Sequence, residues 1–200
     1  MSAEEINKEL HAMKEYAKNN NVPIMQDEGI DFVRNFIEKK NIKNILEIGT
    51  AIGYSAIIMC LVNKDVMVTT IERDEQRYME ALKNIKKFGL EKRINLIFND
   101  ALNVEFEEKF DLIFIDAAKR KNKEFFLHFV KYLDDDGYVI TDNMNFHGYV
   151  NTDPEKIESK NIRDIAEKIN DYIYFLENNM EFKTTIYQVG DGVAVTERRG

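Results

Sequence analysis

The sequence predicts an α/β fold in which a mostly parallel sheet has helices on both faces and ends in an antiparallel β-hairpin. From residue 44 onward, short apolar segments rich in β-branched residues alternate with amphipathic segments of helical period. This alternation is typical of parallel strands joined by helical crossovers. Near the end of the chain, Gly190-Asp191-Gly192 separates two extended segments, and this spacing indicates a hairpin.

The N-terminal part of the chain predicts two helices before the first strand. Apolar residues recur at helical spacing through Ala17, and Asp27 is placed to cap a second helix. The apolar faces of these two helices consist of Ile6, Leu10, Met13 and Ala17, and of Ile30, Val33 and Ile37. The next predicted elements are a strand over 44–48, a helix over 54–62 and a strand over 66–71.

The remaining elements continue the alternation. Asp74 is placed to cap a helix that ends at Gly89, with Met79, Leu82 and Ile85 directed inward. Strands are predicted over 94–98, 110–115 and 138–141, the last after a turn at 136–137. Two further helices are indicated by Phe125, Phe126, Phe129 and Val130, and by Ile162, Ile165, Ile169, Tyr172, Ile173 and Leu176. The hairpin strands are predicted over 184–189 and 193–196.

Composition limits the class of protein. The 200 residues are 44% hydrophobic and 32% charged, which predicts one globular domain, with helices in 1–40 and an α/β core in 41–200. No apolar run reaches the length of a membrane span, the N-terminus lacks a signal-peptide core, and Cys60 is the single cysteine. These features predict a cytoplasmic protein without a membrane partner. A net charge of −8 argues against a general nucleic-acid binder, although a local basic patch could still serve a specific RNA.

Acidic residues recur at the ends of the predicted strands. They are Glu47, Glu72, Asp100, Asp116 and Asp142. Ligands of open parallel sheets bind beyond the carboxyl ends of the strands, so these residues predict a site there. Gly49 and Gly53 form a tight turn after the first strand, and Glu72 can accept the ribose hydroxyls of a nucleoside. A plain strand-to-helix turn and a helix-capping acid are the competing interpretations.

Three oxygen-bearing side chains form a candidate metal site. Asp116, Asp142 and Asn143 follow two predicted strands and offer the hard ligands that Mg²⁺ prefers, while no His/Cys cluster exists for zinc. Ordinary loop acids are the alternative interpretation.

Longer motifs resemble a known enzyme family. Residues 46–55, Leu-Glu-Ile-Gly-Thr-Ala-Ile-Gly-Tyr-Ser, resemble motif I of class I S-adenosylmethionine-dependent O-methyltransferases with a Rossmann-like sheet. Residues 114–119 and 141–143 resemble the metal motifs of the branch that contains catechol and caffeoyl-coenzyme A methyltransferases. Within that branch, 22–25, 51–55, 141–143 and 191–192 are most similar to the bacterial tRNA 5-hydroxyuridine methyltransferases.

The resemblance implies roles for individual residues. Within motif I, Glu47 would bind the cofactor, and Gly49, Thr50 and Gly53 would line its methionine part. Ser55 would bind the cofactor carboxylate, Glu72 its ribose, Asp100 and Ala101 its adenine, and Met25 would cover it. Asp116 would be catalytic and would contact both cofactor and metal, with Asp142 and Asn143 completing the metal site and Lys119 acting as the general base. Catechol methyltransferases carry an aromatic residue where this chain has Ala51, which argues against the animal catechol enzyme.

The substrate implied by this resemblance is the wobble 5-hydroxyuridine of a tRNA anticodon loop, with a small catechol or caffeoyl-coenzyme A substrate as the alternative. Both present two neighbouring oxygens to a metal. Two basic clusters could contact phosphates or form solvated helix faces: residues 119–123, and Lys156, Lys160, Arg163 and Lys168. Phe146, His147 and Tyr149 could stack on a flipped base or pack in a lid or core. Lid segments of small-molecule members often lie at the N-terminus, where this chain is short, so we expect a more open site.

Two other classes of function are less well supported. A nicotinamide-dependent oxidoreductase is disfavoured because the full glycine fingerprint and a Tyr-x-x-x-Lys pair near the site are missing. A non-catalytic binding module is disfavoured by the intact set of Asp116, Asp142 and Asn143. The family and the amphipathic N-terminal helix also predict a homodimer.

Overall fold

The computed structural model describes all 200 residues and has the predicted α/β architecture. The helices are α1 (Ala3–Asn19), α2 (Asp27–Lys40), α3 (Tyr54–Leu61), α4 (Glu75–Lys87), α5 (Asn122–Phe129) and α6 (Lys160–Glu177). The strands are β1 (Asn44–Ile48), β2 (Met67–Glu72), β3 (Ile94–Phe98), β4 (Phe110–Ile115), β5 (Leu133–Thr141), β6 (Phe182–Tyr187) and β7 (Val193–Arg198). No helix combines the length and the apolar composition that a membrane crossing requires.

The seven strands form one sheet in the order β3-β2-β1-β4-β5-β7-β6. Strands β1 to β5 run parallel, and β7 pairs antiparallel with both β5 and β6, which confirms the predicted C-terminal hairpin. The chain leaves β1 toward β2 on one side and returns to place β4 on the other. The carboxyl ends of β1 and β4 therefore flank a topological switch point, where open α/β sheets bind ligands.

Apolar residues of both sheet faces are covered by helices, as predicted. A core of 26 buried residues packs α1 to α4 against one face, and a second core of 19 residues packs α5 and α6 against the other. Strand β4 lies at the centre of the sheet, so five of its six residues are buried. Burial on both faces explains its nearly continuous apolar sequence.

Helix α1 packs its apolar face within the chain. Met13 and Ala17 are buried, and Ile6 and Leu10 pack against the same core. This face therefore does not by itself require a partner, and the homodimer remains a prediction.

Three local predictions differ from the structure. Asp27 is the first residue of α2 rather than its cap; the cap is Gln26, and Asp27 forms an ion pair with Lys14. Met79 and Leu82 are exposed on α4, since Ala81, Asn84 and Ile85 form its buried face. The turn predicted at 136–137 lies inside β5, where the pairing with β4 shifts register instead of ending the strand.

Candidate functional site

One cavity of about 280 Å³ lies beyond the carboxyl ends of the central strands. The predicted site residues that line it are Met25, Gly49, Thr50, Ser55, Glu72, Asp100, Ala101, Asp116, Lys119, Asp142 and Asn143. These residues come from the segment before α2, from α3 and from the ends of the five parallel strands. The fold thus brings both predicted halves of the site, for cofactor and for metal, to the same space.

Gly49 allows the two halves to approach each other. Its φ is +99°, and a Cβ there would lie 2.3 Å from the carbonyl oxygen of Asp116. The amides of Gly49 and Thr50 both donate to the carbonyl of Ile71, at 3.1 and 3.2 Å, so the turn after β1 is also tied to β2. A side chain at position 49 would push the turn away from the predicted metal ligand.

Glu47 and Gly53 do not line the cavity, and the cofactor contacts implied for them stay predictions. Gly53, at a φ of +82°, begins α3 and approaches Ala81 of α4. Glu47 points into the protein because it stands one residue before the end of β1, and its side chain is completely buried.

A hydroxyl network connects Glu47 to the cavity wall. Its Oε1 accepts a hydrogen bond from the Ser55 hydroxyl and its Oε2 one from the Thr70 hydroxyl, both at 2.5 Å. The Thr70 hydroxyl also lies 2.6 Å from that of Thr50. Burial raises the pKa of Glu47 to about 7 in spite of these bonds. The Glu47 side chain therefore lies behind the cavity wall, where it bonds directly to Ser55 and is linked to Thr50 through Thr70.

Glu72 is held at the end of β2 by backbone donors. Its Oε2 accepts from the amide of Ala51 at 2.8 Å, and its Oε1 accepts from the amides of Arg73 and Asp74 at 2.9 and 2.8 Å. A carboxylate offers about four lone-pair positions, so capacity remains for a ligand hydroxyl. The carboxylate is thus fixed in place before any ligand arrives.

Asp100 is fixed in a similar way after β3. It accepts from the amide of Leu102 and lies 3.3 Å from the guanidinium of Arg73. The hydrogen bond from Leu102 contributes most to lowering the pKa of Asp100, and the charges of Lys121 and Arg73 add to the effect. This carboxylate therefore stays ionised beside Ala101 at the cavity wall.

Other residues of the wall were missed by the sequence argument. They are Tyr54, Arg73, Arg77, Asn99 and Phe125, together with several apolar residues. Arg73 directly follows Glu72, and Arg77 lies four residues later, in the first turn of α4. Their positions just after Glu72 are the sequence signal that could have placed them near the cavity. Phe125 is a buried residue of α5 and reaches the cavity from the opposite face of the sheet.

On the other side of the cavity, Asp116 and Asp142 lie next to each other because β4 and β5 are parallel neighbours, with Ile115 paired to Thr141. Burial raises the pKa of both carboxyls, and the charge of Asp116 raises that of Asp142 further, while the charge of Lys119 acts in the opposite direction on both. Asn143 donates a hydrogen bond from Nδ2 to Asp142 Oδ2 at 2.8 Å, which leaves its Oδ1 as the atom available to a metal. Two acidic side chains are thus brought together here, with the charge of Lys119 nearby but without an ion pair.

This donor set fits a hard divalent cation. No three His, Cys, Asp or Glu side chains converge on one point, so the set consists of two carboxylates and an amide. Mg²⁺ binds few protein ligands and retains water or substrate in its other positions. Burial disfavours the ionised form of both Asp116 and Asp142, and such an ion would stabilise the ionised carboxylates.

Lys119 lies at the same end of the cavity. It follows Asp116 by three residues, in a short 3₁₀ turn that precedes α5. Its charge acts on both Asp116 and Asp142, so its amino group shares their surroundings.

The residues after the metal motif divide into packed and exposed side chains. Phe146 is buried against Val150 and α6, so core packing, rather than base stacking, is its role in this structure. The His147 side chain is 62% exposed, and Tyr149 is half-buried.

One hydrogen-bonded contact joins the segments that carry the two basic clusters. Arg120 donates to the Asn161 carbonyl and to its Oδ1 at 3.1 and 2.7 Å, which joins the 119–121 turn to the start of α6. Lys156 and Lys160 are exposed beside this contact. Arg163 instead bonds to the carbonyl of Ile157, and Lys168 lies 3.7 Å from Asp171, so these two side chains are already partnered.

Comparison with known proteins identifies the family. The model of a family described as O-methyltransferase matches residues 1–199, so the chain belongs to this family. It is a class I S-adenosylmethionine-dependent O-methyltransferase of the caffeoyl-CoA type, as the motifs predicted. The resemblance to tRNA 5-hydroxyuridine methyltransferases is not tested by this match.

Individual relatives agree with this assignment. The caffeoyl-CoA O-methyltransferase of Populus kitakamiensis is 27% identical over 193 residues, which cover 92% of this chain and 82% of that protein. The flavonoid 3',5'-methyltransferase of Vitis vinifera is 27% identical over 194 residues, covering 89% and 78% of the two chains. A caffeoyl-CoA O-methyltransferase-like protein of Staphylococcus aureus has a structure with a TM-score of 0.89 and 36% identity, covering 95% of this chain and 92% of that chain.

Proposed function

We propose that the chain transfers the methyl group of S-adenosylmethionine to one of two neighbouring oxygens on a small phenol of the catechol type, with Mg²⁺ held by Asp116, Asp142 and Asn143. The observation that carries this proposal is the continuity of the cavity, since Glu72 on the cofactor side and the metal-side residues line one space. A methyl donor and its acceptor oxygen must meet within a few ångströms. A shared cavity meets that requirement.

On the cofactor side, rigid polar groups support the assigned roles. Glu72 would accept the ribose hydroxyls, because its carboxylate is already fixed by three backbone amides. Ser55 and Thr50 would face the methionine part, with Glu47 orienting them through the hydroxyl network. Asp100 and Ala101 would flank the adenine, and the buried Met25 would cover the cofactor.

On the metal side, the carboxylates of Asp116 and Asp142 would define where the acceptor oxygens lie. A bound Mg²⁺ would stabilise the oxyanion of the acceptor. Lys119, with its side chain on the same wall, would take the proton from the acceptor hydroxyl. The oxygen then forms a bond to the methyl carbon, while the carbon–sulfur bond breaks and its electron pair stays on sulfur, giving S-adenosylhomocysteine.

The comparisons favour the small-molecule substrate over the tRNA substrate that the motifs first indicated. The Populus and Vitis relatives are named for caffeoyl-CoA and for a flavonoid, and both names imply a phenolic acceptor. A catechol offers two adjacent oxygens, which suits a metal that keeps positions open to substrate.

The wobble 5-hydroxyuridine of a tRNA is the second candidate, and one structural observation favours it. The contact between Arg120 and Asn161 joins the 119–121 turn, which carries Lys119 at the cavity, to the start of α6, where Lys160 is exposed. Basic side chains in these positions suit a substrate that carries phosphates. The 5-hydroxyl and 4-carbonyl of this base would again present two neighbouring oxygens.

A methyl-transfer assay tests both candidates. S-adenosylmethionine labelled in the methyl group would be supplied with Mg²⁺ and either a catechol or tRNA that contains 5-hydroxyuridine. We expect label in the catechol, lost with EDTA and restored by excess Mg²⁺. Label only in the tRNA would establish the second candidate, and label in neither substrate would overturn the proposal.

Lys119 can be tested against an exposed lysine away from the cavity. Lys119→Met should lower the rate of transfer by about a hundredfold or more, which is typical for loss of a general base. Lys64→Met changes an exposed lysine that does not line the cavity and should leave the rate close to that of the wild type. Equal rates for the two variants would exclude Lys119 as the base.

A further inference from the structure

The hairpin turn between β6 and β7 contacts the loop that carries Asn143. The amide of Met144 donates to the carbonyl of Gly192 at 2.9 Å, and the amide of Asn145 donates to the carbonyl of Asp191 at 2.8 Å. The amide of His147 donates to Asp191 Oδ1 at 2.5 Å. These three hydrogen bonds join the loop to a turn that is some 45 residues away in sequence.

The loop has an unfavourable backbone conformation. Asn143, Phe146 and His147 have φ values of +61°, +46° and +55°, and Gly148 has +86°. Residues with side chains rarely adopt this left-handed region, and they remain there only when surrounding contacts impose it. The bonds from the hairpin turn are contacts of that kind.

Asp191 is built into this junction. Its side chain is only 4% exposed, and its Oδ2 is buried without a hydrogen-bond partner, 3.6 Å from Nδ1 of His147. Its neighbour Gly192 allows the close approach, because a Cβ there would lie 2.9 Å from the amide nitrogen of Asn145. A buried carboxylate with one free oxygen is costly, and the proposed transfer reaction assigns Asp191 no role.

We propose that Asp191 is a positioning residue of the metal site, which fixes the left-handed loop and so holds Asn143 beside Asp142. The proposal rests on the metal-dependent function proposed above. The acceptor oxygen of Asp191, rather than its charge, performs this task, because the bonded partner is the backbone amide of His147.

Two substitutions separate these contributions. Asp191→Ala removes the acceptor, while Asp191→Asn keeps an oxygen at the same place and removes the charge. For both variants we would measure Mn²⁺ binding, from the loss of the free-ion signal in electron paramagnetic resonance. We would also measure amide hydrogen exchange of residues 144–148 in the metal-free protein. Asp136→Ala, at an exposed position of β5, is the control.

We expect Asp191→Ala to weaken Mn²⁺ binding about tenfold, as is typical when a group that orients a metal ligand is removed, and to accelerate exchange at Asn145 and His147. Asp191→Asn should restore both properties to near the wild-type values. If Asp191→Ala does not fold, Asp191→Glu tests the same expectation, because it keeps a carboxylate but displaces it by one methylene.

Wild-type affinity and wild-type exchange in Asp191→Ala would overturn the proposal. Equally weak binding by Asp191→Ala and Asp191→Asn, with unchanged exchange, would also overturn it, because charge and not positioning would then be responsible. A wild-type protein that binds no Mn²⁺ would instead refute the proposed metal site, and the exchange rates would still decide whether Asp191 fixes the loop.

Discussion

The acidic side chains on the two sides of the cavity, the cofactor side and the metal side, differ in the hydrogen bonds that the protein donates to them. On the cofactor side, Glu47 accepts two hydroxyl hydrogen bonds and Glu72 accepts three from backbone amides. On the metal side, Asp142 accepts one side-chain hydrogen bond, from the neutral amide of Asn143, and Asp116 accepts none. Hydrogen-bond donors therefore satisfy the first pair, while the second pair has only the nearby charge of Lys119.

The difference has a structural cause. The turn after β1 and the start of α4 direct free backbone N–H groups at Glu72, as strand-to-helix turns do for anions. Asp116 and Asp142 instead follow adjacent parallel strands, so their like charges lie together. Buried carboxylates are stabilised by hydrogen-bond donors or by cations; the cofactor side of this cavity has the donors, and under the proposed function a cation would stabilise the metal side.

Substitution of the metal-side acids should have the largest effect. Asp142→Asn is expected to weaken Mn²⁺ binding more than a hundredfold and methyl transfer by about a thousandfold, because a charged ligand is lost. The same change should raise the free energy of unfolding of the metal-free protein by about 1 kcal/mol, because burial already disfavours the charged form. Titration with Mn²⁺ and urea unfolding in EDTA measure the two effects.

The exposed acid Asp136 is the matched control, and Asp136→Asn should alter neither property. A metal-free Asp142→Asn protein that is less stable than the wild type would contradict the comparison, since it would mean that the protein itself satisfies this carboxylate.

Substitution on the cofactor side should act in the opposite direction on stability. Glu72→Gln places an NH₂ donor against backbone N–H donors, so we expect a loss of about 3 kcal/mol in the free energy of unfolding. Binding of S-adenosylhomocysteine, measured by calorimetry, should weaken about tenfold. Glu75→Gln, at an exposed position in the first turn of α4, should leave both quantities unchanged.

The smallest effect is expected at Glu47 and depends on pH. Burial raises its pKa to about 7 from the ordinary value of 4.5, so the native state holds a proton that the unfolded state has released between these values. Its contribution to stability is therefore complete below pH 4.5 and is lost as the pH rises toward 7. Between pH 5.5 and 8, the wild type should lose about 2 kcal/mol relative to Glu47→Gln.

Urea unfolding of the two proteins across this pH range measures the difference. A constant difference between them would contradict the raised pKa of Glu47.

Local patterns predicted most of the fold. Apolar, β-branched runs bounded by turn residues marked β1, β3 and β4 with the bounds that the structure has, and Gly190-Asp191-Gly192 marked the hairpin. The predictions that failed concerned which face of a helix is buried and where a helix or strand begins and ends. Met79 and Leu82 fit an apolar helical period, yet α4 turns Ala81 and Asn84 inward, where Asn84 bonds to the carbonyl of Ile52. Which face of a helix is buried depends on the neighbour that it meets.

The sequence alone determined the fold class, the cofactor turn and the acids at strand ends, because hydrophobic period, glycine turns and strand-end positions are local properties. The tertiary structure decided how those acids act. Strand order placed Asp116 beside Asp142, and the hairpin brought Asp191 to the loop after Asn143. It also turned Glu47 away from the cavity and toward Ser55. These relations join residues far apart in the chain, so only the packed sheet establishes them.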